Sequence, residues 1–331
     1  MCTSIAFFEQ KLFGRNLDLE VSFGQRVVIA PRSLAFPFAH RPALTEHYAI
    51  VGMASVAGGL PLFAEGMNEK GLYMAGLNFP GNAHYFADEG ADPNHLAPHE
   101  LLWLVLGSCA SLAEARALLE GVTVCAIPFA PGLPLAPLHW HVADATGALV
   151  AESTADGLHL YEDKAGVLTN NPPFPFHQTN LANYMNLSPR QPENLFAPGL
   201  PLACFGQGMG MGAIGLPGDA SPASRYVRAV FFKENAGFPE DRPGQVMEFF
   251  HVLEGVAMVR GSVVTPEGAL DETLYSSCID GVEHVYYWRT AGASRISAVR
   301  MTEEACRGGK LLAVTPEDTP AFAFTEPQPL A

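Results

Sequence analysis

The first 80 residues alternate short apolar runs with polar or glycine-marked breaks. Residues 3–8, 11–17, 48–56, 61–65 and 72–77 carry the period and length of half-buried strands. The pattern then changes to helical spacing over 101–109 and 112–119. Ser111-Leu112-Ala113-Glu114 opens the second of these as a capping box, in which the Ser and Glu side chains satisfy the first free amides. A proline-rich loop over 128–137 leads into further strands at 138–143, 149–153, 158–161 and 167–169. Between 176 and 218 the chain is polar, proline-marked and rich in glycine, with little periodicity. Ser221-Pro222 then supplies an N-cap and a proline at the first helical position, launching a helix over 223–235. A second apolar helix is predicted over 245–258. Strands at 273–279 and 284–289, joined through Asp280-Gly281, bring the chain back to β structure. Strands at both ends with helix pairs between them predict a layered α+β fold, and helices that fail to alternate with strands disfavour a doubly wound parallel sheet.

Composition narrows the function classes. With 19 basic and 34 acidic residues the net charge is −15, and no Lys/Arg cluster interrupts it. Such a field repels phosphate backbones and anionic lipid, so nucleic-acid and membrane partners are not expected. Met1-Cys2-Thr3-Ser4 has no basic leader, and the apolar stretch after it stops at Glu9. The six cysteines (Cys2, Cys109, Cys125, Cys204, Cys278 and Cys306) are scattered without a C-x-x-C pair, which reads as a cytoplasmic protein with free thiols.

Several motifs reduce to ordinary structure. Gly210-x-Gly212-x-x-Gly215 matches a dinucleotide fingerprint, but Leu216-Pro217-Gly218-Asp219 follows where a helix should begin. His139-x-His141 places two imidazoles on one strand face without a third ligand at suitable spacing. His95 and His99 stand four apart with Pro98 between them, which argues against a helical metal pair.

Cys2 is different in kind. A cysteine at position two is ordinarily incidental, but removal of Met1 gives it a thiol and a free α-amine on one residue. The amine titrates at about 7.7–8.0 and the thiol at about 8.5 in unperturbed peptides. The amine is therefore a general base for its own nucleophile at neutral pH. Such a centre needs a cation near the thiolate, a carboxylate near the amine and donors for an oxyanion. Gly14-Arg15-Asn16-Leu17-Asp18 offers the first two on an adjacent strand, although Arg15 and Asp18 also suit a plain surface ion pair. Asn78 and Asn170 each follow an apolar strand and carry donor amides, or are ordinary turn asparagines. Arg225 lies in the first turns of the Ser221-capped helix, where the helix dipole disfavours a cation.

Seven blocks in order turn this into a resemblance: 1–3, 14–18, 66–71, 75–81, 167–172, 215–225 and 249–262. The chain resembles the choloylglycine hydrolase family, which comprises bile salt hydrolases and penicillin V acylases, from residue 2 to about residue 300. The resemblance implies a single N-terminal-nucleophile (Ntn) hydrolase domain over 2–331, folded as a four-layer αββα sandwich, commonly a homotetramer. It implies removal of Met1 and no metal or organic cofactor. It assigns Cys2 as nucleophile, Arg15 beside its sulfur, Asp18 to the α-amine, Asn170 and Asn78 to the oxyanion, and Arg225 to transition-state charge. Leu19, Phe23, Phe63, Asn171 and the 125–137 loop correspond to substrate-pocket segments. Asparagine at 78, where some penicillin acylases carry tyrosine, points to conjugated bile salts as substrate. Penicillin V acylase and a decayed binding protein are the alternatives.

Overall fold

The computed structural model describes residues 1–90, 92–203 and 208–327, so Cys204 lies outside the described residues. The chain opens with β1 (Cys2–Phe7), β2 (Leu12–Leu19), β3 (Arg26–Ala30), β4 (Ile50–Ala57), β5 (Leu60–Asn68) and β6 (Tyr73–Asn78). A helical hairpin follows, with β7 (His95–Leu96) before it, then α1 (Glu100–Ser108), α2 (Leu112–Leu119) and β8 (Thr123–Val124). Next come β9 (Leu138–Asp144), β10 (Gly147–Thr154), β11 (Gly157–Asp163), β12 (Val167–Leu168) and α3 (Phe174–Asn180). The second helix pair is α4 (Pro222–Asn235) and α5 (Arg242–Glu254). The chain ends through β13 (Val263–Val264), β14 (Leu270–Asp280), β15 (Val285–Thr290), β16 (Ser297–Arg300), α6 (Glu303–Arg307) and β17 (Leu312–Val314).

Two antiparallel sheets stack face to face. One runs β12-β1-β2-β14-β15-β16, with β13 added to β14, and the other runs β11-β10-β9-β6-β5-β4-β3-β17. The apolar face of α1 and α2 covers the outer side of the second sheet, where Trp103, Leu106 and Leu119 pack with Met74, Trp140 and Val142. On the outer side of the first sheet, Tyr226, Phe249 and Leu253 of α4 and α5 pack with Ile5 and Phe7. The order helix, sheet, sheet, helix is the αββα sandwich.

Local chemistry explains the element ends. Ser111 Oγ accepts from the amide of Glu114 at 3.3 Å, as a capping box requires. Glu114 reaches one residue further back than that motif predicts, to the amide of Ala110 at 2.8 Å. The helix expected over 245–258 instead starts at Arg242, because Asp241 caps the amide of Gly244 at 2.8 Å, and it stops before Gly255. β3 escapes the alternation rule because Val27, Val28, Ile29 and Ala30 are all buried, one face against each layer. Among the described residues, no helix is long and apolar enough to cross a membrane.

Candidate active site

β1 divides its side chains between two layers. Ser4 points between the sheets, where its hydroxyl meets Tyr73 at 3.0 Å and His141 Nδ1 at 2.9 Å. Cys2, two residues earlier, shares that face. Thr3, Ile5 and Phe7 point the other way, and Phe7 meets Phe249 of α5 edge-on at 5.6 Å. β2 divides likewise. Arg15 and Leu17 face the second sheet, while the Asn16 amide donates to Leu253 of α5 at 2.8 Å and Asp18 shares its side. Arg15 and Asp18, three apart, therefore occupy opposite faces of one strand. The surface ion pair is excluded, since both are fully buried.

Arg15 is held by backbone oxygens, its Nη1 lying 2.6 Å from the carbonyl of Gly76 and 3.2 Å from that of Ala64. The carboxylate of Glu65 lies 3.8 Å from the same nitrogen, and Nη2 has no hydrogen-bond partner among the described residues. Burial works against the Arg15 charge, but Cys2, Tyr275 and Glu65 nearby raise its pKa on balance. Glu65, absent from the sequence-based set, is the carboxylate of this centre. It accepts from Tyr275 at 2.7 Å, Tyr286 at 2.5 Å and Ser277 at 3.1 Å. Burial raises its carboxyl above the usual range, against the pull of Arg15 and those hydroxyls.

Two β-bulges set this arrangement. In β14 the register shifts between Thr273 and Tyr275, so that Thr273 pairs with Asp18 and Tyr275 with Leu17. The extra residue reverses the alternation, which lets Thr273 face Asp18 while Tyr275 reaches Glu65 between the sheets. In β5 a shift opposite Met53 and Ala54 separates Glu65 from Phe63 in the same way. Glu65 then turns inward, and Phe63 turns toward Trp103 of α1.

Beneath Cys2 lies a second polar group. Asn170, just past β12, accepts the Cys2 amide on Oδ1 at 2.9 Å and donates from Nδ2 to the Asn78 carbonyl at 2.7 Å. One N–H of that amide remains for another acceptor. Arg225 of α4 donates to the carbonyl of Cys2 at 2.5 Å, to Thr3 Oγ1 at 2.7 Å and to Asn170 Oδ1 at 2.6 Å. Burial lowers its pKa, while Asp18 and Cys2 oppose that shift. Asp18 accepts from Thr273 at 2.5 Å, and its Oδ2 has no hydrogen-bond partner among the described residues. Burial raises the Asp18 carboxyl, with Arg225 and Thr273 pulling the other way. The α-ammonium of Met1 contacts the backbone carbonyl of Asp18 and lies 3.5 Å from Asp271.

A cavity of about 450 Å³ opens onto Cys2, Arg15 and Asn78. Its walls include Leu19, Phe23 and Phe63, together with Phe129 and residues 133–136 of the proline-rich loop. His99 lines it too, and burial pushes its imidazole down to about 4, so the ring is neutral at pH 7. Asn171 is not part of this wall. Its side-chain amide donates to the carbonyl of Pro80.

Residues 2–313 match the linear amide C-N hydrolases, choloylglycine hydrolase family. The chain belongs to the choloylglycine hydrolase family. A bile salt hydrolase/transferase from Lactiplantibacillus plantarum is 41% identical over 305 residues, 92% of this chain and 93% of its own length. A bile salt hydrolase/transferase from Clostridium perfringens is 37% identical over 317 residues, 94% and 95% of the two chains. The crystal structure of the C2A mutant of the conjugated bile acid hydrolase from Clostridium perfringens superposes with a TM-score of 0.89 at 35% identity, covering 98% of this chain and all of the other. A penicillin V acylase structure from Agrobacterium tumefaciens gives 0.75 at 19% identity over 95% of this chain and 91% of its own, a likeness of fold alone. This choloylglycine hydrolase is thus an Ntn hydrolase of the αββα class, as the ordered sequence blocks imply.

The lesser motifs have structural roles here. His139 bonds Glu152 at 3.0 Å and the Thr169 carbonyl at 3.1 Å, and His141 faces Asp163 at 3.2 Å, so both are partnered core histidines. Met211–Ala213 inside the glycine motif is a single 3-10 turn with no helix behind it.

Proposed function

We propose that this choloylglycine hydrolase cleaves the amide joining a bile acid to glycine or taurine, with Cys2 as an N-terminal nucleophile. The observation that carries the reading is the buried Cys2 between Arg15 and Asn170, at the end of an apolar cavity shaped by Leu19, Phe23, Phe63 and Phe129. A steroid body fits such walls, and the amide then lies at the thiol. The Cys2 thiolate attacks the carbonyl carbon, and Asn170 Nδ2 with Asn78 donates to the oxyanion. Arg225 supports the charge that develops. The α-ammonium, held by Asp18, protonates the leaving nitrogen as the C–N bond breaks. Water then attacks the thioester with the amine as base, releasing the bile acid and restoring the thiol. No step calls for a metal or organic cofactor.

The same reading includes a single domain over 2–331 and removal of Met1. It extends to a homotetramer, supported by the apolar side chains that Met185, Leu195 and Phe196 expose beyond β12. A cytoplasmic location is supported by the five described cysteines, all of them free thiols.

Kinetics on glycocholate, taurocholate and penicillin V test the substrate. Higher kcat/KM for the bile salts supports the reading. Penicillin V turned over at least as efficiently makes the chain an acylase of penicillins, and turnover of none of the three makes it a decayed binding protein.

A further inference from the structure

Away from the thiol chemistry, three donor atoms of different elements converge without a common partner. Asp88, His95 and Cys125 each offer one atom, and those atoms lie within 4.8 Å of one another. We propose that they form a site for a Zn²⁺-like divalent ion, with His40 fixing the carboxylate from outside.

The backbone is built to hold these positions. The amide of Cys125 donates to the Leu96 carbonyl at 2.8 Å, which anchors Cys125 beside the strand that carries His95. Phe86 bridges the same segment, its amide donating to Val124 at 2.9 Å and its carbonyl accepting from Ala126 at 2.8 Å, and this brings Asp88 alongside. Asp92 opens the turn to His95, with its carbonyl accepting the His95 amide at 3.0 Å and its carboxylate the Asn94 amide at 2.8 Å. The ligand positions therefore rest on a hydrogen-bonded frame rather than on a free loop.

The side chains lack what a metal supplies. His95 Nδ1 is buried with no hydrogen bond among the described residues, 3.8 Å from Asp88 Oδ1. The Cys125 thiol is fully buried, and its one polar contact among the described residues is a 3.8 Å approach to the Thr123 carbonyl. A divalent cation binds such a group as the thiolate and releases its proton to solvent. His40 Nε2 lies 2.8 and 2.9 Å from the two oxygens of Asp88, the usual outer partner of a ligating carboxylate.

Donor chemistry selects the ion. One nitrogen, one oxygen and one sulfur suit Zn²⁺ and exclude the hard cations Mg²⁺ and Ca²⁺, which take oxygen. Tetrahedral zinc separates its ligand atoms by about 3.4–3.8 Å, so the cluster closes by about an ångström on binding, with water in the fourth position. The ion pins the starts of two pocket walls: residues 98–102 follow His95, and residues 129–136 follow Cys125. Its role is structural and separate from amide hydrolysis.

Co²⁺ is the probe, added to the reduced full-length chain carrying Cys2→Ala so that the nucleophilic thiol cannot contribute. The proposal predicts a sulfur-to-cobalt charge-transfer band that saturates at equimolar Co²⁺ and is displaced by Zn²⁺. Adding Cys125→Ser removes the band. His95→Ala and Asp88→Asn, both at partly exposed positions that leave the buried thiol in place, each weaken binding by at least about tenfold. No band in the Cys2→Ala chain overturns the site. So does a band that survives Cys125→Ser, or an affinity unchanged in both His95→Ala and Asp88→Asn.

Discussion

The side-chain oxygen of Asn170 lies 2.9 Å from the backbone nitrogen of Cys2, while its amide nitrogen is bonded to the Asn78 carbonyl at 2.7 Å. One side chain thus fixes the main chain of Cys2 and presents its remaining N–H beside the strand end that carries Asn78. Asn171, the next residue, makes neither contact and bonds the Pro80 carbonyl.

Asn170→Ala is expected to lower kcat by about 10²–10³-fold, the usual cost of one oxyanion donor. Asn171→Ala removes a half-buried side chain's bond to Pro80 outside the cavity wall and should leave kcat within about threefold. Steady-state kinetics on glycocholate check both. Equal losses would mean that the pair acts only through the shape of its loop.

Arg225 and Arg228 are one helical step apart on α4. Arg225 bonds the carbonyl of Cys2, Thr3 and Asn170, whereas Arg228 bonds the carbonyls of Pro217, Asp219 and Gly255. Replacing either with alanine leaves acceptors unpaired, so both variants should melt earlier, by about 1–3 kcal/mol of stability. Only Arg225→Ala should also lose kcat by about a hundredfold or more, as loss of transition-state charge support does. Assays well below both melting points separate the two effects, and parallel losses of kcat would make Arg225 purely structural.

Glu65 gives a pH prediction. Burial raises its carboxyl in the folded chain, so between about pH 4.3, the unfolded value, and that raised value the folded state holds more proton than the unfolded one. Stability falls with rising pH across that window. Glu65→Gln keeps one side-chain oxygen, which serves one side of the hydroxyl cluster and not both, and cannot ionise, so its denaturation free energy should fall less across the window than that of the unsubstituted chain. Glu65→Ala strips three hydroxyls of their acceptor and should cost about 3–5 kcal/mol at the acid end of the window and less as pH rises through it. Denaturant titrations over pH 4–8 check this. An identical pH slope for Glu65→Gln and the parent would remove Glu65 as a titrating group.

Much of this centre is legible in the sequence because it lies on two adjacent strands. Cys2, Arg15 and Asp18 pair through β1 and β2, and their spacing alone places Arg15 and Asp18 on opposite faces, a signal stronger than the ion pair it overrides. Helix starts were legible where a cap stood before proline, as at Ser221. Glu65 was not legible, because it reads as the polar end of a strand. Its burial depends on Tyr275 and Tyr286, more than 200 residues away, and on bulges that reverse alternation in β5 and β14. β3 was missed for a related reason, since a strand buried on both faces carries no alternation.

The central claim is that one residue supplies both nucleophile and base. With Met1 in place the Cys2 nitrogen is an amide that donates to Asn170 and has no basicity, while the Met1 ammonium sits at the Asp18 carbonyl. Intact-mass spectrometry paired with glycocholate turnover on the same preparations tests this directly. Chains that begin at Cys2 should carry essentially all the activity, and chains that retain Met1 should bind the bile salt and hardly turn it over. A preparation whose mass includes Met1 throughout and whose turnover is normal would contradict the account.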